Sequence, residues 1–501
     1  MFVRKKSNKS GVISIQVIAK IDGKSKLIKT IGSSREERTI KELTEKGQHY
    51  IATFGGQAAF DFSDETNLIQ SVFQQIDSHT EVGTELLLGK IFDDVGFNVI
   101  DDPIFRQLVL SRLTYPVSKL KTSDYLEKYH DLEYPVQQIY RYMDKLHSTQ
   151  KELVQQISYE HTKHVLGGQV TIVFYDVTTL YFEIDHEDTL RKTGFSKEGK
   201  HQNPQIVLGL LVSRNGYPLA YDIFEGNKFE GHTMLPVLEA FKEKYRLDQL
   251  VIIADSGLLS NANIEELQGK DYEFILGARI KNEKKQIQER ILALSLKNGE
   301  SADIEKDRLK LIVTYSGSRA KKDSQNREKG LRKLEKRIKT GKLTKSSINN
   351  RGYNKYLKMD GEINIEIDYA KYNADSVWDG LKGYISNAIL GKDEIIENYG
   401  QLWQIEKAFR ISKTDLRIRP IYHRAQRRIE AHICISFVAY KIYKELERQL
   451  KSLNSKLSPE KAIETAKTIY QIKATVKGKS VAQILLINEE QKKLARLFNF
   501  G

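Results

Sequence analysis

The chain has 501 residues, 40% of them hydrophobic and 29% charged, with a formal net charge of +14 and a pI of about 9.3. This fits a soluble globular protein of roughly two to four domains at about 100–200 residues each, and the positive excess points either to a polyanionic partner, most simply nucleic acid, or to no more than a basic surface. One cysteine, Cys434 in His432-Ile433-Cys434-Ile435, excludes an intrachain disulfide and a cysteine-cluster zinc site and suits a reducing compartment, and the lack of a run of about 20 apolar residues excludes a membrane span.

The first residues, Met1-Phe2-Val3-Arg4-Lys5-Lys6, are basic, but no apolar signal core follows them. Residues 12–18 and 26–31 alternate as two strands around the turn signal Asp22-Gly23, which predicts a hairpin. A polar helix at about 34–52 completes a small region over 1–55. Residues 80–166 read as a helical domain. Leu86-Leu87-Leu88 with Ile91-Phe92, and Phe105 with Leu108 and Val109, recur at helical spacing, and Pro116 and Pro135 punctuate the helices.

Strands are then predicted at 170–176, 206–213 and 217–224, the last two joined through Arg214-Asn215-Gly216, a hairpin signal. A helix at 232–246, a strand at 250–255, a helix at 259–268 and a strand at 272–276 complete a first core stretch over 168–280. Three antiparallel-compatible strands followed by helix, strand, helix and strand predict an α/β fold, a ribonuclease H-like mixed sheet flanked by helices. Residues 281–378 break this order and read as an inserted β-containing subdomain, with strands at 311–315 and 363–367. Between these lies a very basic stretch from Arg319 to Lys345, either a solvated helix face or a phosphate-binding arm. Helices at 391–414 and 424–449 form a second core stretch over 379–450, and 451–501 reads as a helical C-terminal region.

Three carboxylates stand out. Asp176 ends the apolar run Val170-Thr171-Ile172-Val173-Phe174-Tyr175, and Asp255 ends Leu250-Val251-Ile252-Ile253-Ala254. Such runs suit central strands buried on both faces, which puts each Asp at a strand end on the rim of the sheet. Taken alone, either reads as a turn or cap residue. Glu406 belongs to the late helix, where Tyr399, Trp403, Glu406, Arg410 and Lys413 recur at three- and four-residue steps and are expected on one face. Arg417, Arg419, His423, Arg424, Arg427 and Arg428 follow. Two carboxylates at strand ends and one on a helix can converge on divalent metal ions that drive attack on phosphodiesters. Glu183, Asp185, Glu187 and Asp188 read as an acidic loop and form the rival metal site. His232 reads as a surface residue and Trp378 as a core residue. No P-loop is present, so no ATP use is expected.

On these residues the chain resembles the DDE transposases of bacterial insertion sequences, in the branch with a Tyr-Arg-Glu-Lys signature. There the Tyr stands seven residues before the Glu, the Arg four before it and the Lys seven after it. Tyr399, Glu406 and Lys413 fit, and Leu402 stands where the Arg is expected. The surrounding Leu402-Trp403-Gln404-Ile405-Glu406-Lys407-Ala408-Phe409-Arg410 is similar, as are Arg419-Pro420-Ile421-Tyr422-His423, Phe195-Ser196-Lys197-Glu198, Leu208-Gly209-Leu210-Leu211 and Gly226-Asn227. The likeness spans roughly residues 85–445.

The resemblance implies that Asp176, Asp255 and Glu406 are the catalytic residues and the ligands of two Mg²⁺ (or Mn²⁺) ions about 3.5–4 Å apart. It implies that Tyr399 and Lys413 hold the neighbouring phosphate, with Arg410 or Arg419 standing in for the missing Arg. Trp378 gains a second reading, stacking on a flipped base. The implied activity is hydrolysis at terminal inverted repeats and transfer of 3′ hydroxyls into target double-stranded DNA. The agent would be a homodimer, cytoplasmic and nucleoid-associated in a bacterium, with the helices before residue 166 reading the repeats. A ribonuclease H-like nuclease or resolvase without strand transfer, and a catalytically inactive DNA-binding derivative, are the alternatives. Tyr399 and Lys413 argue against the first, and the intact triad argues against the second.

Overall fold

The computed structural model describes residues 1–500 except 22, 55–74, 185, 197–198, 259, 342, 345–346, 350–351, 361–363 and 477–478. Asp22, Asp185, Lys197, Glu198, Lys342, Lys345 and residue 363, used in the readings above, lie outside the described residues. The chain divides into two compact units, Met1–Ser78 with Ile472–Gln483, and His79–Gln471 with Ile484–Gly501.

In the first unit, β1 (Phe2–Ser7), β2 (Ile13–Ile21) and β3 (Lys24–Ser34) form an antiparallel sheet in that order. The predicted hairpin is β2–β3. Strand β1 was not foreseen, because only Phe2 and Val3 stand against Arg4, Lys5 and Lys6. Helix α1 (Glu37–Thr53) packs closely on this sheet through two glycines. A Cβ on Gly32 would meet Leu43, and one on Gly47 would meet Val3 and Ile15.

The chain continues through β4 (Ile76–Glu81) into helices α2 (Lys90–Val95), α3 (Pro103–Thr114), α4 (Lys119–His130), α5 (Val136–Thr149) and α6 (Lys151–Val165). Asp102 and Ser118 cap α3 and α4 by accepting backbone N–H bonds, and Pro103 opens α3. Next come β5 (Ile172–Tyr181), β6 (Gln205–Ser213), β7 (Pro218–Glu225), α7 (Met234–Tyr245), β8 (Val251–Ala254), α8 (Asn261–Gly269) and β9 (Glu273–Ala278). The 281–378 stretch holds α9 (Lys285–Leu292), β10 (Ser301–Lys306), β11 (Leu309–Tyr315), α10 (Gly317–Lys339), β12 (Leu357–Asp360), β13 (Asn364–Ile367) and α11 (Tyr369–Ala374). Then follow β14 (Leu381–Ser386), α12 (Lys392–Gly400), α13 (Trp403–Thr414), α14 (Gln426–Ser452), α15 (Pro459–Ala466), β15 (Tyr470–Val476), β16 (Lys479–Leu485) and α16 (Glu489–Phe498).

One sheet of eight strands, order β10–β11–β14–β9–β8–β5–β6–β7, organises the second unit. Strands β5, β6 and β7 are antiparallel neighbours, while β8 and β9 run parallel to β5. With α7 and α8 as crossovers, this is the ribonuclease H-like order expected from the sequence. Strands β14, β11 and β10 extend it antiparallel beyond β9. Part of the 281–378 stretch therefore builds the edge of the main sheet. Strand β10 was unforeseen, since only Ile304 of its six residues is buried. The remainder closes a small core of its own, Leu334 of α10 against Tyr356, Leu357 and Ile367.

Strand β5 divides its side chains between two cores by strict alternation. Val173, Tyr175 and Val177 join the core beneath α7 and α8, whereas Phe174 and Leu180 join the core of the helical layer. Helix α14 is the spine of that layer, packing against α2, α3, α5, α6 and α13. It is buried through most of its length because its apolar residues surround the helix, as in Ile433-Cys434-Ile435 and Phe437-Val438-Ala439-Tyr440.

Three further differences from the sequence reading matter. The helix expected over 391–414 is two helices, α12 and α13, broken at Gln401-Leu402. The region 451–501 is not all helical. Tyr470-Gln471-Ile472-Lys473-Ala474 alternates as a strand should, and β15 and β16 make a three-stranded sheet of order β16–β15–β4. Strand β5 runs five residues past Asp176 because β6 pairs with it as far as Tyr181. Among the described residues, no helix is long and apolar enough to cross a membrane.

Candidate active site where β8 ends beside β5

The parallel register pairs Tyr175 of β5 with Ala254 of β8, the last residue of β8. The next residues, Asp176 and Asp255, therefore leave neighbouring strands at the same level of the sheet. Asp176 is not at the end of its own strand, but it stands where its parallel neighbour stops. Its Oδ1 accepts the Val177 N–H at 2.8 Å. The exposed Asp255 accepts the N–H of Gly257. A Cβ on Gly257 would lie 3.2 Å from Asp255 Oδ1 and 3.8 Å from Glu230 Oε2, so Glu230 also approaches this corner.

By alternation Asp176 shares the sheet face of Phe174, the face on which α13 packs. Helix α13 lies against β5 and β6, burying Ile405, Ala408, Phe409 and Ile411. Its other side carries Trp403, Glu406 and Arg410, all exposed, and half-buried Lys413. Leu402 opens α13 with 8% of its surface exposed, as part of the core. The position expected to hold a phosphate-binding Arg is thus an apolar packing position.

Tyr399 belongs to α12, which packs on β8 and β9 instead. It does not share the exposed face of Glu406. It is 6% exposed, and its hydroxyl occupies the space above Gly277, beside Ser256, where a Cβ would collide with it. Burial, then the nearby charges of Asp255 and Glu406, push its phenol above the ordinary value, so the hydroxyl keeps its proton.

Two cations complete this corner: Lys382, which the sequence reading missed, and Arg319, which it placed only in the basic stretch. Lys382 of β14 sets its ammonium 4.5 Å from the centre of the Tyr399 ring and 5.2 Å from that of Tyr384. Burial and the Arg319 guanidinium lower its pKa, and the carboxylates of Glu406 and Asp255 oppose them. Lys382 therefore senses both of those carboxylates at once. Arg319 stands in the first turn of α10, held by the Ser316 cap. Strand β14, which carries Lys382 and Tyr384, was not foreseen in the sequence, where only helices were read after residue 379, and neither was its pairing with β9, which brings them to the site.

The other sequence candidates lie elsewhere. Arg419 is 6.0 Å from the ring of Tyr181, at the far end of β5. Trp378 is half-buried and packs against the cluster of Ile280, Ile291, Ile304, Leu311 and Val313. His232 is exposed, edge-on to Phe229. In the acidic loop, Asp188 accepts N–H bonds from Leu190 and Arg191 and pairs with the Arg191 guanidinium, while Glu187 accepts from Thr193, so both are occupied in shaping the loop. The basic run is the exposed helix α10, with Lys321, Lys322, Lys329 and Lys333 facing solvent.

Asp176, Asp255 and Glu406 are hard oxygen donors of the kind that Mg²⁺ or Mn²⁺ takes. Their chemistry fits such an ion. Among the described residues, no three His, Cys, Asp or Glu side chains are grouped closely enough to share a metal.

Comparison with known proteins gives one family match, the Transposase DDE domain, over residues 170–442. No curated protein matches the chain. Among solved structures, a piggyBac transposase synaptic complex with hairpin DNA aligns over 79% of this chain and 80% of its own, at 9% identity and a TM-score of 0.39. A Mos1 transposase paired-end complex with the left transposon end aligns over 46% of this chain and 71% of its own, at 13% identity and a TM-score of 0.16. Likenesses this weak carry no further argument.

Proposed function

Because the chain belongs to the DDE transposase domain family, we propose that it cuts DNA at the terminal inverted repeats of a mobile element and joins the freed 3′ ends to target DNA. The observation that carries this reading is the corner formed by Asp176 and Asp255 at one level of the sheet, with Lys382 and Tyr399 each sensing both Asp255 and Glu406.

Asp176, Asp255 and Glu406 would hold divalent ions, two of Mg²⁺ or Mn²⁺, which when bound polarise a phosphoryl oxygen and acidify water. Tyr399, kept protonated by its surroundings, donates its hydroxyl to a phosphate oxygen. Lys382 sets a positive charge against the same phosphate and takes the part that the signature gives to an Arg. Leu402, a buried apolar residue, cannot play it, and Arg419 is beside Tyr181. Lys413 supports the phosphate from α13. In the cut, a water oxygen bonds to phosphorus as the bond to the 3′ oxygen breaks, and that oxygen takes up a proton. In joining, the 3′ hydroxyl attacks target phosphorus and the target's own 3′ oxygen leaves. The exposed lysines of α10 hold DNA further out, helices α2–α6 read the repeats, and a homodimer holds the two ends.

Single Asp176→Ala, Asp255→Ala and Glu406→Ala variants test this on DNA carrying the repeats that flank the coding region, with Mg²⁺. Each is expected to abolish both cutting and joining. Full activity in one removes that residue from the site. Cutting without joining by the unaltered protein favours a nuclease.

A further inference from the structure

Beyond α13 the chain builds a cationic hollow that the reaction above leaves unused. It is a cavity of about 450 Å³ between the start of α4 and the segment that follows α13, lined by Arg112, Lys119, Lys121, Arg417, Arg419 and His423 and by no acidic residue. Its volume falls within the range of about 300–1,000 Å³ usual for ligand sites.

Two of these cations are sunk in the protein, Lys119 at 4% and Arg112 at 5% exposure. Arg112 reaches the Leu416 carbonyl at 3.5 Å and His432 Nδ1 at 3.4 Å, both long for hydrogen bonds, and its Nε finds no partner. Lys119 has no hydrogen-bond or carboxylate partner among the described residues, and the charge it feels most is Arg112. His432 donates from Nε2 to the Ile418 carbonyl at 2.9 Å, which leaves Nδ1 as the acceptor for Arg112 and makes the ring neutral. Burial and these cations also push His423 down, to about 3. A buried cluster of one sign is costly unless an anion completes it. The first turn of α4, a helix of twelve residues capped by Ser118, opens on the same space and adds its N-terminal dipole.

We propose that this cavity takes a phosphate of the DNA strand that leaves the active site along α13, an inference that rests on the reading of the chain as a DNA transposase. Helix α13 has twelve residues, about 18 Å or roughly five base pairs of duplex axis, and the Arg417–His423 segment continues from its end. A phosphodiester there would be met by Lys119 and Arg112 from below, and by Arg417 and Arg419 from the mouth.

Thermal unfolding of the full chain with inorganic phosphate, at ionic strength held constant with chloride, tests the site apart from any activity. Phosphate is expected to raise the Tm of the unaltered protein, and Lys119→Gln is expected to lose that rise. No rise, or an undiminished rise in Lys119→Gln, overturns the site. Arg417→Gln, a change at the exposed mouth, gives the same readout if Lys119→Gln does not fold. Duplex binding against salt then separates the ligand sources. Lys119→Gln should weaken duplex binding about 5- to 10-fold at about 150 mM salt and lower the log–log slope by about 0.9. Phosphate protection with an unchanged slope means that the cavity takes free phosphate and overturns the DNA assignment. Failure of the carboxylate variants to affect cutting would overturn the proposed function while leaving the phosphate readout intact.

Discussion

The Lys382 ammonium stands 4.5 Å from the centre of the Tyr399 ring, although 17 residues and a helix boundary separate them in sequence. The contact joins the edge-ward half of the sheet to α12 and sets a cation beside two acidic residues. We predict that Lys382→Met lowers cutting of repeat-bearing DNA about 10²-fold, the order seen when one preorganised charge-stabilising donor is lost. Lys382→Arg should restore part of it. Unchanged rates in Lys382→Met would remove this lysine from the site.

Gly277 is the floor on which the Tyr399 hydroxyl rests, with Ser256 beside it. Gly277→Ala should therefore displace the tyrosine and destabilise the fold by about 1–3 kcal/mol in denaturant unfolding. Tyr399→Phe removes the hydroxyl, so the cost of Gly277→Ala should shrink in that background. A double-mutant cycle with no coupling would contradict the contact.

Acid should weaken the fold through buried histidines. Burial and Lys441 lower His161 to about 4. Glu445 lies 3.7 Å away, but its charge is already engaged by Arg448 at 2.5 Å and the Tyr217 hydroxyl at 2.7 Å, so the ring stays neutral. The unfolded chain protonates this His near 6.5 and the folded chain resists until about 4. Its contribution is therefore complete above about 6.5 and is lost as pH falls, by about 2 kcal/mol at pH 5. Urea unfolding at pH 7, 6 and 5 in chloride buffers should show His161→Gln losing less stability than the parent. Parallel losses would refute the assignment.

Trp378 offers a choice between packing and base stacking. Its place against Ile280, Leu311 and Val313 predicts that Trp378→Ala lowers stability by about 2–4 kcal/mol and leaves the cutting rate of the folded enzyme unchanged. Normal stability with impaired cutting would instead favour a base partner.

The strand setting of Asp176 and Asp255 was legible because each follows an apolar run that suits a doubly covered strand. Their shared level was not, since it depends on the register between β5 and β8. Helical spacing put Glu406 and Lys413 on one side of a helix, as α13 has them. It wrongly joined Tyr399 to their face, because the helix breaks between them at Gln401-Leu402. Lys382 escaped notice because its significance is entirely tertiary. The cationic cavity was equally hidden, with Lys119 and Arg417 about 300 residues apart in the chain.

Helix α14 has a consequence for synthesis as well as for packing. The apolar sides of α2, α3, α5 and α6 are closed by it, yet it is complete only at Ser452, nearly 290 residues after α6 ends. At about 5–20 residues per second, the ribosome leaves those surfaces uncovered for roughly 15–60 s. The nascent chain thus keeps apolar surface uncovered for most of its translation. A premature stop anywhere before α14 would release a chain without the helix that closes its core, destined for chaperones or proteolysis.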